Sequence, residues 1–258
     1  MSTALRQAVY DHLCKKLLEG SLRAGERISE LTVAKETGVS RSPVREAIGQ
    51  LRAEGILEQV PGYGAFVKSP SRRELTDAYE VREWLESQAV YAMAARPDLA
   101  ESHLIGVRQV HNEMHAMLRE SYLQDTRMLR ADQIDAFARL DIRWHEELLD
   151  GSGNRQIRKI VRDTRLLVHA AGCKPRPLDP DHIAQVFAEH DLILRVITQR
   201  DAGEARRLMT EHIRWAARKA AEIFDAKYRP EPEPPAPERT TGIGPRFPVP
   251  GLPTPRPL

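Results

Sequence analysis

The strongest constraint on this chain is a change of period near residue 55, placed directly after two short helical patterns that almost touch. Ser29 to Thr37 reads as one short helix ending at Gly38. A second starts at Ser40 or Ser42, either of which can cap it, with Pro43 tolerated in the first turn. It carries Val44, Ala47, Ile48 and Leu51 on one face and ends at Gly55. Beyond it, Ile56 to Val60 and Ala65 to Val67 read as two strands around the turn Pro61-Gly62-Tyr63-Gly64. An earlier helix over Leu5 to Leu18, with Leu5, Val9, Leu13 and Leu17 at helical spacing, completes three helices and a β wing. These elements predict a winged helix-turn-helix domain over residues 1–70.

From Glu74 the pattern is helical almost throughout, with breaks near Arg96-Pro97-Asp98, Gln124-Asp125, Gly151-Ser152-Gly153, Lys174 to Pro180 and Asp201-Ala202-Gly203. Six helices are predicted, roughly over 71–95, 98–121, 126–150, 154–172, 180–200 and 202–227. The fold class is therefore mainly α, an N-terminal winged helix-turn-helix followed by a C-terminal all-α six-helix bundle over residues 71–227. Residues 228–258 hold 11 of the 18 prolines and almost no apolar periodicity, which predicts a proline-rich disordered or polyproline II tail.

A chain of 258 residues with 41% hydrophobic content can bury two cores. The formal charge is only +2, so composition supplies no bulk attraction to nucleic acid and any DNA contact must come from where the arginines sit. Cys14 and Cys173 form no CxxC motif and read as buried, inert thiols. No run of about 18 apolar residues and no leader pattern occurs, so the expectation is a cytoplasmic protein with no membrane association.

A tight helix pair followed by a wing places the second helix in the major groove. Its N-terminus carries Ser40, Arg41, Ser42 and Arg45, where backbone N–H groups and the helix dipole already favour phosphate. Arg41 or Arg45 can fork onto guanine O6 and N7, and Ser40 and Ser42 can hold phosphate oxygens. The run from Gly38 to Ala47, continuing through Leu51, Glu54-Gly55-Ile56-Leu57 and Gly62 to Val67, resembles the DNA-binding signature of the GntR family of bacterial regulators. The resemblance spans about residues 5–68 and implies DNA contact by Ser40, Arg41, Ser42 and Arg45, with wing contact near Gly62 and Gly64. Tyr63 stands at the wing tip where similar proteins usually carry a basic residue.

In the second half, Asp141 and His145 lie four apart on a helix and can share one metal ion. His111 and His115 have the same spacing, so spacing alone does not choose between them. His190 and His212 lie between apolar positions on later helices, and three histidines with one aspartate suit a divalent transition metal, zinc first and nickel, manganese or iron next. Six helices after such a head, with Arg82 on the first and this Asp-x3-His, His, His series on later ones, resemble the FadR-like branch and its FCD ligand-binding domain over about residues 71–226. That resemblance implies a metal held by Asp141, His145, His190 and His212, and Arg82 as a ligand for the carboxylate of an organic acid. Arg82 has an alternative as an intrahelical partner of Glu83 or Glu86. Trp84 and Trp144 read as core, and Arg206, Arg207, Arg214, Arg218 and Lys219 as a solvated face.

The function expected is a ligand-responsive DNA-binding transcription regulator, a repressor acting as a homodimer on an inverted-repeat operator in double-stranded DNA. A small carboxylic-acid effector is sensed in the metal-containing helical domain, with residues 68–76 as the joint between domains. The alternatives are a helical metal-dependent hydrolase and a DNA-binding regulator without ligand response.

Overall fold

The computed structural model describes residues 2–99, 102, 104–123, 130–170 and 180–228, which belong to one compact unit apart from Tyr228. The head is built from α1 (Ser2–Leu18), α2 (Glu30–Thr37), α3 (Arg41–Ala53) and three strands, β1 (Arg27–Ile28), β2 (Leu57–Val60) and β3 (Gly64–Val67). Ser29 caps α2, accepting a hydrogen bond from the Thr32 N–H, and Gly38 closes it in the left-handed region at φ 70°. Only Val39 and Ser40 then precede α3. Val44, Ala47, Ile48 and Leu51 turn inward against Val9, Leu13 and Leu17 of α1 and Ile56, Ala65 and Val67 beside the wing. Cys14 is buried among them, and burial pushes its thiol up to about 11, so it is an unreactive packing group.

The sequence predicts two strands and the head has three. β1 pairs antiparallel with β3, Arg27 opposite Phe66 and Ile28 opposite Ala65, giving the order β1-β3-β2. A two-residue strand is too short to show a period, and its register is set by β3 rather than by its own pattern. At the wing tip Tyr63 N–H donates to the Val60 carbonyl at 3.0 Å, and Pro61 and Gly62, the latter at φ 77°, occupy the centre of a type II turn.

The second half contains α4 (Arg72–Ala95), α5 (Ile105–Leu123), α6 (Ala131–Gly151), α7 (Arg155–Ala170), α8 (Pro180–Thr198) and α9 (Ala202–Lys227), the six helices expected. α4 and α9 pack along one another, and α6, α7 and α8 close around α4. The second predicted helix starts later than expected, at Ile105 rather than 98. The Arg200 guanidinium takes the carbonyls of Arg96, Pro97 and Leu99 at 2.6, 3.1 and 2.7 Å, which fixes that segment as a turn. The third starts at Ala131 rather than 126. The end of the predicted fourth helix, Cys173, the 174–179 break and the tail from 229 onward lie outside the described residues.

Trp144 is buried as expected, but Trp84 is not core: 64% of it is exposed. The buried face of α4 runs Leu75, Tyr79, Arg82, Glu86, Val90 and Met93, and Trp84 lies off that stripe with the exposed Val81 and Tyr91.

The two halves meet twice. Ser71 and Glu74 form a capping box at the start of α4, inside the joint predicted over residues 68–76. The sequence did not point to the second junction, where α1 packs on α7. Leu166 of α7 is buried in the core of the head, and Arg162 donates to Asp11 at 3.0 Å while lying 5.6 Å over the Tyr10 ring.

Candidate DNA face and candidate metal centre

On the head, Ser40, Arg41, Ser42 and Arg45 are all exposed and run from the N-cap into the start of the second turn of α3, whose N-terminal N–H groups lie at that end. Ser40 makes no capping hydrogen bond with its side chain, which leaves its hydroxyl for a phosphate. Arg45 donates to Glu30 of α2 at 2.8 Å, an exposed pair that DNA can displace at little cost. Gly62 is exposed and Gly64 half-buried at the wing, beside the exposed Tyr63. Arg27 on β1 was missed by sequence reasoning. Its side chain lies beside Gly64 and lines, with Arg41 and Gln59, the groove between α3 and the wing.

In the bundle, residues from separate helices converge. His145 of α6, His190 of α8 and His212 of α9 are buried and point their Nε2 atoms at one another, His212 lying 3.3 Å from His145 and 3.4 Å from His190. Asp141, one turn before His145, places Oδ1 3.6 Å from His190 Nε2 and 3.9 Å from His145 Nε2. Four ligands at about 2.0–2.1 Å around a tetrahedral ion are separated by about 3.3–3.4 Å, so the imidazole spacing fits a tetrahedral centre.

The orientation of the rings is held from behind. Glu86 Oε2 lies 2.5 Å from His145 Nδ1, and Glu189 Oε2 lies 2.7 Å from His212 Nδ1. An acid on Nδ1 keeps the proton there and leaves Nε2 as a lone pair facing inward. His190 is held by stacking, its ring parallel to Trp144 at 3.8 Å. Converging lone pairs repel unless a cation lies between them, and burial works against a proton in that role, pushing His145 down to about 4 and His190 well below the ordinary range. A metal ion fits this donor set. His111 and His115 do not converge on such a centre; both stack on Phe187, at 4.4 and 5.6 Å.

Arg82 is buried and donates to Glu86 at 2.8 Å, so the intrahelical alternative is realised while Arg82 also lines the cavity beside the histidines. That cavity, of about 130 Å³, is lined further by Asp141, His145, His212, Arg165, Phe137 and Trp215. Burial would raise the carboxyls, but Arg82, His145 and Arg165 hold Glu86 well below the usual range, and His145 and Arg165 hold Asp141 down. Glu86, Glu189 and Arg165 were not assigned from sequence. Glu86 and Arg165 had a signal, since each is a charge inside an apolar stripe: Glu86 between Tyr79 and Met93 on α4, Arg165 between Val161 and Val168 on α7. On the solvated face, Arg207 pairs with Glu204 and Glu211, Arg214 with Glu83 and Lys219 with Glu222.

Comparison with known proteins agrees with both halves. Residues 5–67 match the family described as bacterial regulatory proteins, gntR family, and residues 77–214 match the FCD domain. A protein described as an uncharacterized HTH-type transcriptional regulator, YdhC of Bacillus subtilis (strain 168), is 28% identical over 204 residues, 79% of this chain and 85% of its own length. The HTH-type transcriptional repressor RspR of Escherichia coli (strain K12) is 25% identical over 213 residues, covering 81% of this chain and 86% of its own. The solved structure of E. coli McbR/YncC has the same fold, with a TM-score of 0.73 at 17% identity over 85% of this chain and 98% of that one. The curated relatives are transcriptional regulators, not enzymes, and the hydrolase alternative falls away with them.

Proposed function

This chain belongs to the GntR family, carries an FCD domain and is a DNA-binding transcription regulator, and we propose that it is a repressor that senses a small organic acid through a zinc site. The observation that carries the sensing half is the trio of buried, facing Nε2 atoms, two of whose histidines, His145 and His212, line a cavity that Arg82 and Arg165 also line. Asp141, His145, His190 and His212 hold the metal, with zinc the first candidate for three imidazoles and one carboxylate and nickel, manganese or iron next. When bound, the ion supplies a Lewis-acidic position for a carboxylate oxygen. Arg82 orients that carboxylate, held in place by Glu86, which also fixes His145.

On the head, Ser40, Arg41, Ser42 and Arg45 read and hold one half-site, with backbone contacts at Gly62 and Gly64. A homodimer then matches an inverted-repeat operator. The exposed stripe of Val81, Trp84 and Tyr91 on α4 supports a second copy as the partner. The repressor assignment follows the description of RspR. The route to the head runs through α7, where Arg165 lines the cavity and its neighbour Leu166 is buried in the head's core. An effector that binds the two arrangements of α7 differently by about 1–3 kcal/mol changes operator affinity about 5- to 150-fold.

Selection of bound sequences from random duplex DNA by the purified full chain tests the reading. An inverted repeat should emerge, and Arg41→Ala with Arg45→Ala should lose specific binding to it at fixed salt. Selection that yields no inverted repeat, or a double variant that binds the selected site normally, removes the operator reading.

A further inference from the structure

Arg165 is a buried charge at the cavity whose acidic partners do not reach hydrogen-bond distance. It is 4% exposed, and Nε and Nη2 are buried with no hydrogen-bond partner among the described residues. Its two acidic neighbours stand off beyond hydrogen-bond distance, Nη2 being 3.6 Å from Glu86 Oε2 and Nη1 3.6 Å from Asp141 Oδ2. Glu86 does not close that gap because Arg82 holds Oε1 at 2.8 Å and His145 holds Oε2 at 2.5 Å. Asp141 faces the imidazoles with its other oxygen. Arg165 lines the cavity, and Nε with Nη2, its two unpartnered donors, form one edge of the guanidinium, the fork that matches a planar anion.

We propose that Arg165 binds a second carboxylate of the effector, so that the site selects short dicarboxylic acids over monocarboxylic ones. The inference rests on the carboxylate-sensing reading and narrows it. One carboxylate lies toward the histidine trio and Arg82. The other lies on Arg165, and Asp141 lies beside both anchors, its Oδ2 3.6 Å from Arg165 Nη1 and its Oδ1 3.6 Å from His190 Nε2, which keeps them within a few ångströms of one carboxylate. That separation suits a diacid with a linker of one to three carbons. Phe137 and Trp215 give the linker an apolar wall. A monocarboxylic acid leaves the two Arg165 donors buried and unpaired, and a site built to pair a polar group discriminates strongly against an analogue that lacks it.

The experiment is calorimetric titration of the zinc-loaded full chain with two matched pairs, propionate against succinate and lactate against malate. Each diacid differs from its partner by one carboxylate in place of a hydrogen. The diacid of at least one pair should bind about 10- to 100-fold more tightly than its monoacid, the range of a charge-assisted forked contact. Arg165→Gln should erase that ratio by weakening the diacid alone, with the zinc content unchanged. Arg165→Lys, which keeps the charge near Glu86 and Asp141 without the fork, should restore only part of it, and covers the case in which the glutamine variant does not fold. Equal binding of both members of each pair, or a ratio that persists in folded Arg165 variants, overturns the assignment to Arg165 while leaving a carboxylate sensor in place. Failure of all four acids to bind zinc-loaded protein overturns the sensor reading and this inference with it.

Discussion

The head and the bundle bury different kinds of side chain. Among the described residues, the head's core holds aliphatic groups, one phenol and one thiol, and its arginines stand outside at the start of α3. The bundle buries Arg82, Glu86, His145, Arg165, His190 and His212 in the middle of its apolar packing. In the head, the groups proposed to touch DNA can change without disturbing what holds the domain together. In the bundle the groups proposed to sense the effector are part of the core, so on that reading occupancy of the site and stability of the domain are linked. That linkage lets a small molecule act on a fold, since a ligand shifts an equilibrium only by binding its two states differently.

Removing the proposed metal gives the largest effect expected from this contrast. A ligand present at about a thousand times its dissociation constant contributes about 4 kcal/mol, so chelation should destabilise the bundle by about that amount and lower Tm by about 8–16 °C. Scanning calorimetry with and without a chelator measures it, and added zinc should restore the transition. An unchanged Tm would mean that the buried polar cluster is self-sufficient, and the distinction between the two cores would collapse.

The same contrast explains what the sequence revealed. The head was legible because its determinants are local: the Gly38 turn, the arginines of α3 and the Pro61-Gly62 turn lie within one short stretch. β1 was not legible, since two residues carry no period. In the bundle, Asp141 and His145 showed as a helical pair, but His190 and His212 needed the family resemblance, because their approach to His145 depends on how α6, α8 and α9 pack. Glu86 was visible only as a partner for Arg82, and its second bond, to His145, spans 59 residues. Trp84 was misread because an aromatic residue suggested core, while the apolar stripe of α4 that faces inward passes through residues 79, 82 and 86 instead.

Leu166 sharpens the comparison because it belongs to a bundle helix and is buried in the head's core. Leu166→Ala should cost about 2–4 kcal/mol, as for a fully buried leucine, and loosen the head rather than the histidine cluster. Zinc content should stay unchanged, while the difference in operator affinity with and without effector shrinks. Denaturant melts and anisotropy on the selected operator read the two effects separately. A variant that keeps the full effector response would place the coupling elsewhere, in the joint at residues 68–76.

That joint yields the smallest effect. Glu74 accepts from Lys68 and from the Ser71 backbone N–H at 2.8 Å, and Lys68 first and then Ser71 hold its carboxyl down at about 2. The folded state therefore keeps the charged form where an ordinary glutamate takes up a proton at about 4.3. The resulting stability is fully present above that ordinary value and is lost as pH falls through about 2, because the unfolded chain binds the proton first. Solvent screens the Glu74 side chain, which is 38% exposed, so its worth is about 1 kcal/mol rather than the full linkage. Glu74→Gln retains the capping acceptor and loses the charge, so it should cost about 0.5–1 kcal/mol at pH 7 and progressively less between pH of about 4 and 2. Urea melts of both proteins across that range measure the difference. A gap that stays constant with pH would assign the joint's stability to the cap geometry alone, leaving the ion pair with Lys68 no part in how the head is held.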